Sequence, residues 1–173
     1  MNTIHIQKVT LQDLNELQRI GKQTFDETFA NDNSPEDLQQ YLDENFNIKK
    51  LTAELGNINS IFYFVSCDAA VIGYLKLNLG EAQTELKKAN ALEIERIYVL
   101  KTYHGKQVGQ LLLDKALQIA IDKKANYIWL GVWEKNYRAI HFYNKNRFVE
   151  FDKHLFKLGK DEQTDIMMKL VLN

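Results

Sequence analysis

The residues that most clearly suggest chemistry lie between Leu92 and Leu117, where a strand-like run, a polar loop and a helix follow one another. The loop contains His104, Gly105, Lys106, Gln107, Val108, Gly109 and Gln110. A helix N-terminus presents backbone N–H groups without intrahelical acceptors, together with the positive end of the helix dipole. A glycine-containing loop at such a terminus is a typical anion site. This segment therefore predicts a bound phosphate or pyrophosphate, and hence a nucleotide-like cofactor.

Two carboxylates precede this loop on the same predicted strand. Glu93 and Glu95 alternate, so their side chains point to the same side of the sheet unless a bulge intervenes. Beside a cleft, buried carboxylates can accept a proton or anchor a cation. The alternative is a pair of solvated strand acids, and both interpretations stay open. Glu95 is the preferred candidate for a base.

A second acidic group lies between residues 23 and 47, which hold seven acids and no Lys or Arg. The seven are Asp26, Glu27, Asp32, Glu36, Asp37, Asp43 and Glu44. Such a cluster in a nearly neutral protein favours a polycationic partner. The alternative for most of these acids is a solvated helix face or helix N-terminus. The nearby Phe25, Phe29 and Tyr41 could form apolar walls for a bound methylene chain, or belong to the core.

Composition narrows the class of protein. The chain has 173 residues, of which 45% are hydrophobic and 26% charged, and this predicts one globular domain over residues 1–173. The net charge of −1 gives no support to nucleic-acid or membrane-surface binding. Cys67 is the single cysteine, so with no signal-like N-terminus we expect a cytoplasmic protein. The four histidines show no metal-ligand spacing, so no metal is expected: His5, His104, His141 and His154.

The elements that must position these residues follow from periodicity and capping. Thr10 with Asp13 predicts a helix start, and so does Ser34 followed by Pro35. In the first half of the chain we expect a strand at 4–9, then three helices, from Thr10 to about Phe25, from Ser34 and over 48–55, and then strands at 61–66, 71–79 and 92–99. In the second half we expect the helix after the loop, a strand at 127–133, a helix from Asn136 to about Lys145, and strands at 148–158 and 164–172. This mixture predicts an α/β or α+β fold around one sheet.

The segment from Asn136 to Phe148 resembles a motif of the GNAT family of acyl-CoA-dependent N-acetyltransferases, N-x-x-A-x-x-F-Y-x-K-x-G-F. Arg147 stands where that family usually has glycine. The resemblance implies a single mixed, mostly antiparallel sheet of six to seven strands, flanked by helices and splayed at its central strands. It also implies a local bulge in the strand that carries Glu93 and Glu95.

The resemblance implies acetyl-CoA as cofactor, with CoA as product. The family's loop pattern is Gln/Arg-x-x-Gly-x-Gly/Ala, and here Gln107 stands in place of its first glycine. The family grips pyrophosphate mainly through backbone amides, so other side chains can be accommodated. The implied cofactor-binding residues are Ile97, Tyr98, Val99, His104, Gly105, Lys106, Gln107, Val108, Gly109, Gln110, Asn136, Ala139, Tyr143 and Lys145.

The likeness extends over almost the whole chain to the PaiA-type spermine/spermidine acetyltransferases. It is carried by residues 24–29, 33–36, 92–98, 130–136 and 162–165. It implies a polyamine acceptor, held by Asp26, Glu27, Phe29, Glu93 and Glu95. Tyr143 is implied as the general acid that protonates the CoA thiolate, whereas periodicity alone favours a core aromatic.

The resulting hypothesis is an N-acetyltransferase that moves acetyl to a primary amine by direct attack in a ternary complex. One alternative keeps this chemistry and replaces the acceptor by a peptide N-terminus, an amino acid or an antibiotic amine. Another is a non-catalytic module that senses acyl-CoA. The expected partner is a small-molecule amine, with no nucleic acid and no membrane, and the protein is expected to be a monomer or a homodimer.

Overall fold

One seven-stranded sheet organises the computed structural model, which describes residues 3–172. The strands are β1 (Ile4–Lys8), β2 (Ser60–Cys67), β3 (Ala70–Leu79), β4 (Ala91–Val99), β5 (Tyr127–Trp133), β6 (Val149–Leu158) and β7 (Asp161–Val171). The helices are α1 (Leu14–Phe29), α2 (Pro35–Asn45), α3 (Ile48–Gly56), α4 (Val108–Asp122) and α5 (Tyr137–Lys145). The sheet order is β1-β2-β3-β4-β5-β7-β6, and the predicted order of elements along the chain is confirmed.

The sheet divides at its centre. All neighbouring strands pair antiparallel except β4 and β5, which run parallel. This parallel pair is registered only from Ala91 to Glu93 against Tyr127 to Trp129, and the two strands separate beyond that point. The register between β3 and β4 shifts between Lys76 and Leu77, so Glu95 is left without a partner across the ladder. The predicted splay and bulge are both confirmed.

Helices cover both faces of the sheet. On one face α4 packs on the central strands, with Leu112 and Leu113 fully buried among Leu75, Leu77 and Leu130. On the other face α1, α2 and α3 form a second core, in which Ile20, Leu51 and Phe64 are buried. No helix within residues 3–172 combines the length and apolar content needed to cross a bilayer.

Capping hydrogen bonds form at the two helix starts that the sequence predicts. The backbone N–H of Thr10 donates to Asp13 at 2.8 Å, and the Ser34 hydroxyl accepts from the N–H of Asp37 at 3.1 Å. The first helix was expected to end near Phe25 but continues for another turn to Phe29. The two rings lie one helical turn apart and stack at 4.4 Å, so the extra turn adds a buried aromatic contact.

Candidate active site

A central cavity of about 270 Å³ opens where β4 and β5 separate. Its walls are of two kinds. One part is aromatic and contains Phe25, Phe29, Tyr41, Trp133 and Phe156. The other part is acidic and contains Glu85, Glu93, Glu95 and Asp165. This combination suits a ligand that has both a cationic group and an apolar chain.

A second cavity of about 420 Å³, here called the loop cavity, lies between the end of β4, the 104–110 loop and α5. Most of the predicted cofactor-binding residues line it: Ile97, Val99, His104, Gly105, Gln107, Val108, Gly109, Gln110, Ala139, Tyr143 and Lys145. Tyr98 and Asn136 line the central cavity instead. Lys106 lines neither cavity, and its Nζ lies 4.9 Å above the ring of Tyr103.

The two cavities share the walls formed by Ile97, Ala139 and Tyr143. Tyr143 is only 5% exposed, and its ring packs against those of Phe142 and Phe148. Burial raises the pKa of the Tyr143 phenol well above its ordinary value, and the nearby charge of Arg138 offsets part of that rise. The phenol therefore carries its proton at neutral pH and can act as an acid at the junction.

The loop places free backbone amides at the N-terminus of α4. The N–H of Leu111 makes the first helical hydrogen bond, to the carbonyl of Gln107 at 3.2 Å. The N–H groups of Val108, Gly109 and Gln110 precede it and so have no acceptor within the helix. Gln107 has φ of 62°, in the left-handed region that favours glycine, which accounts for the glycine of the family pattern at this position.

His104 ties the loop back to β4. Its Nε2 lies 2.7 Å from the carbonyl of Val99, and Arg138 approaches the same nitrogen at 3.3 Å. Burial is the main cause that lowers the pKa of His104 below its ordinary value. The imidazole is therefore neutral at neutral pH and can donate its Nε2 proton to Val99.

Glu95 belongs to a group of two acids and two cations at the edge of the central cavity. Its Oε2 lies 2.6 Å from Lys76 Nζ, and its Oε1 lies 3.7 Å from Arg96. Glu54 contacts the same two cations at 3.1 and 3.8 Å. Burial pushes the pKa of Glu95 upward, but the charges of Arg96 and Lys76 outweigh it and the net shift is downward. Glu95 is therefore an ionised group that is held by its partners.

Glu93 lies beside Glu95 but has different partners. It accepts hydrogen bonds from the backbone N–H of Thr84 at 2.8 Å, from the Thr84 hydroxyl, and from Asn78 Nδ2 at 3.1 Å. The Asn78 amide also donates to Glu95, so the two carboxylates share one side of the sheet as predicted. Burial raises the pKa of Glu93, and its hydrogen bonds counteract part of that rise.

Two of the predicted acceptor-binding residues lie outside the cavity. Asp26 and Glu27 are exposed and line neither cavity. The Glu27 carboxylate instead accepts the backbone N–H of Lys101 at 2.7 Å, which ties the end of α1 to the turn after β4. Because consecutive helical residues point in different directions, the neighbouring buried Phe25 and Phe29 reach the cavity while these acids face outward.

The last two strands contribute a pair of residues, Asp165 and His154, to which the sequence analysis gave no role in the site. Asp165 of β7 stands opposite His154 of β6 and opposite Trp133 of β5. Burial raises the pKa of Asp165 to about 6, although the charge of His154 opposes this. In the sequence, Asp165 is an acid directly before the apolar run of β7 and the last residue of the 162–165 segment that carries the family resemblance. The pairing of β7 with β5 brings it to the cavity.

The two cavities, which meet at a protonated phenol, could hold two ligands, one with an anionic end and one with a cationic end. Comparison with known proteins agrees with this geometry. Residues 22–148 match the model of the acetyltransferase (GNAT) family. An uncharacterised N-acetyltransferase from Lactobacillus delbrueckii subsp. lactis is 40% identical over 172 residues, which cover 99% of each chain.

A relative and a solved structure from Thermoplasma acidophilum are also similar. One is a spermidine N(1)-acetyltransferase, 27% identical over 150 residues that cover 84% of this chain and 88% of the relative. The other is the crystal structure of PaiA N-acetyltransferase in complex with coenzyme A, with a TM-score of 0.82 and 25% identity over 98% of this chain and 99% of that one. The chain belongs to the acetyltransferase (GNAT) family, and the predicted enzyme class, N-acetyltransferase, is confirmed.

Proposed function

We propose that this protein transfers the acetyl group of acetyl-CoA to a primary amine, and that the preferred acceptor is a polyamine such as spermidine or spermine. The observation that carries the proposal is the shared wall of the two cavities, where Ile97, Ala139 and Tyr143 face both. A ligand in each cavity would bring its reacting end to this wall. Holding two reactants together in this way supplies a large part of the catalysis of a bimolecular reaction.

The loop cavity fits the phosphates and pantetheine arm of CoA. The amides of residues 108–110 and the dipole of α4 favour a pyrophosphate. Arg138 and Lys145 add positive charge to the same cavity. The neighbouring β4 backbone from Ile97 to Val99 is free of β5, and can hydrogen-bond an extended arm. When bound, acetyl-CoA supplies an activated acetyl group as a thioester.

The central cavity fits a polyamine. The negative charge of Glu85, Glu93, Glu95 and Asp165 exceeds the positive charge of Arg96 in its walls, so the cavity attracts ammonium groups. Phe29 and Trp133 lie 5.5 Å apart and Phe25 and Tyr41 4.4 Å apart, and these rings can pack against methylene groups and cations. The spermidine acetyltransferase of Thermoplasma acidophilum supports the same class of acceptor.

Tyr143 has the properties of the general acid. Its raised pKa keeps the phenol protonated at neutral pH, so its proton is available when the departing thiolate forms beside it. The single cysteine, Cys67, is buried and lines neither cavity, so it offers no nucleophile for an acetyl-enzyme. These features support direct attack of the amine within a ternary complex.

One observation favours a second class of acceptor. Arg96 lines the central cavity, is 7% exposed, and its Nη1 makes no hydrogen bond to any residue that the structure describes. A guanidinium in this position could bind the carboxylate of an amino acid or short peptide. Glu54 and Glu95 already balance the charges of Arg96 and Lys76, so the polyamine remains the preferred acceptor.

A panel of amines tests the proposal. Thiol release from acetyl-CoA is measured with spermidine, spermine, a simple monoamine, free amino acids and a short peptide. We expect the highest kcat/KM for the polyamines. A preference for amino acids or peptides would favour the acceptor with a carboxylate, and absence of turnover with every amine would overturn the proposal.

A further inference from the structure

Of the four acids in the central cavity, two have their carboxylate oxygens engaged by other groups. Glu95 is paired with Lys76 and Arg96, and these cations lower its pKa, so it is a weak proton acceptor. Glu93 accepts from Thr84 twice and from Asn78 once, so most of its lone pairs are occupied. A base must offer a free lone pair to the proton that it removes. Neither residue meets this requirement well.

Asp165 differs from these two residues in its surroundings. Its carboxylate accepts no hydrogen bond from the residues that the structure describes, although burial removes much of its contact with water. The remaining acid, Glu85, is exposed at the rim, where its Oε1 lies 3.2 Å from His154 Nε2. Asp165 is thus the acid of this cavity that is both desolvated and free to accept a proton.

The position of Asp165 follows from Gly131. This glycine is exposed although it lies in a central strand, because the strand borders the cavity where β4 has separated from β5. A Cβ atom placed on Gly131 would lie 3.4 Å from Asp165 Oδ2. The Asp165 carboxylate on β7 therefore lies over the bare backbone of β5, in the wall of the cavity and beside the point where β4 and β5 separate.

We propose that Asp165 is the residue that removes a proton from the acceptor ammonium, in place of Glu95. This inference rests on the proposed function. The ammonium transfers one proton to the Asp165 carboxylate, and the resulting neutral amine attacks the thioester carbonyl to form the C–N bond. The C–S bond then breaks, the thiolate takes the Tyr143 proton, and the nitrogen returns its second proton to Tyr143 through solvent. The proton on Asp165 leaves to solvent as the one proton released per turnover.

The groups around Asp165 permit this role. His154 faces it from β6 and Tyr41 from α2, while β5 presents the uncharged Gly131 and Trp133. With a pKa of about 6, the carboxylate is largely ionised at pH 7 and is still basic enough to accept a proton. On its other side, His154 contacts the exposed Glu85, with Nε2 3.2 Å from Oε1.

The variant Asp165→Asn tests the inference. It keeps the size of the side chain and removes the basic lone pair, so we expect kcat/KM for spermidine to fall by roughly 100-fold or more. In the wild type, kcat/KM should rise with pH through an inflection near 6, as the carboxylate ionises. That inflection should be absent in Asp165→Asn. Because the loop cavity is unchanged, acetyl-CoA should still raise the melting temperature of the variant.

The matched control is Glu162→Gln, which removes an exposed acid from the same strand. It should keep the wild-type rate and pH profile. Normal turnover in Asp165→Asn with the inflection retained would overturn the inference and leave the proposed function intact. Wild-type protein that acetylates no amine would instead overturn the proposed function itself.

Discussion

At the scale of single residues, the proposed chemistry centres on one phenol in the wall between two cavities. Tyr143 is buried among aromatic rings, yet it faces both cavities. Burial disfavours the phenolate and keeps the proton on the oxygen. The same packing that makes Tyr143 part of the core therefore keeps it protonated, as a proton donor must be.

Tyr143→Phe should separate the chemical role from the structural one. The ring is kept, so acetyl-CoA should raise the melting temperature as in the wild type, while kcat should fall by roughly 100-fold, provided that protonation of the thiolate limits the rate. Thiol release measures kcat. Tyr127→Phe removes a phenol that lines neither cavity and should change nothing. An unchanged kcat in Tyr143→Phe would remove Tyr143 from the acid role.

Glu95→Gln should reduce stability. Losing one member of a buried group leaves Lys76 and Arg96 undercompensated, at a cost of about 3 kcal/mol in the free energy of unfolding. Chemical denaturation at pH 7 measures this cost. Glu81→Gln, in an exposed pair with Lys87, should cost less than about 0.5 kcal/mol. Equal stability of Glu95→Gln and wild type would contradict the ion-pair assignment.

The same group gives a pH dependence with a defined sign. The pKa of Glu95 is lower in the folded protein than the ordinary value of 4.5. The folded state therefore binds this proton less readily than the unfolded chain does, so the stabilisation is complete above about pH 4.5 and is lost as the pH falls. The stability difference between wild type and Glu95→Gln should shrink over that acid range.

At the scale of elements, the proposed binding of CoA depends on the backbone conformation of the 104–110 loop. Gln107 adopts a left-handed conformation directly before α4, and the next three amides have no acceptor within the helix, as at any helix N-terminus. A side chain in this conformation costs roughly 1 kcal/mol that glycine would not. Gln107 in place of the family's glycine therefore lowers the stability of the loop, but it does not remove the backbone amides at the start of α4.

Gln107→Gly should stabilise the protein by up to about 1 kcal/mol, because relief of strain exceeds the extra freedom of glycine in the unfolded chain. Its affinity for acetyl-CoA should equal or exceed that of the wild type. Calorimetric binding and denaturation measure the two effects. Lys124→Gly relieves a φ of 55° at the far end of α4, so it should stabilise without affecting binding. A clear loss of acetyl-CoA affinity in Gln107→Gly would contradict binding through the loop amides.

At the scale of the whole molecule, local sequence signals predicted the elements well. Caps at Thr10 and Ser34 and the alternation of β4 are properties of neighbouring residues, and the structure confirms the resulting order. The splay and the bulge at Glu95 came through the family resemblance. The length of α1 was underestimated because its last turn is buried by residues distant in sequence, since Phe25 stacks on Tyr41 and Phe29 packs against Trp133.

The acids of the site were harder to predict, because their roles depend on long-range pairing. Asp26 and Glu27 belong to the acid-rich segment of residues 23–47, but their side chains are exposed and do not reach the cavity. Asp165 reaches the cavity only because β7 inserts between β5 and β6. The low pKa of Glu95 likewise depends in part on Lys76, which lies on the neighbouring strand β3. The spacing of residues along the sequence does not show which of these side chains come together in the folded protein.

The most direct test of the account is thiol release by the wild-type protein with acetyl-CoA and spermidine, with mass analysis of the amine. We expect acetyl-CoA alone to raise the melting temperature, because it binds the folded state, and to release little thiol. Adding spermidine should release one thiol for each N-acetylspermidine formed. A melting shift with acetyl-CoA but no thiol release with any amine would contradict the account and favour a protein that binds acyl-CoA without turnover.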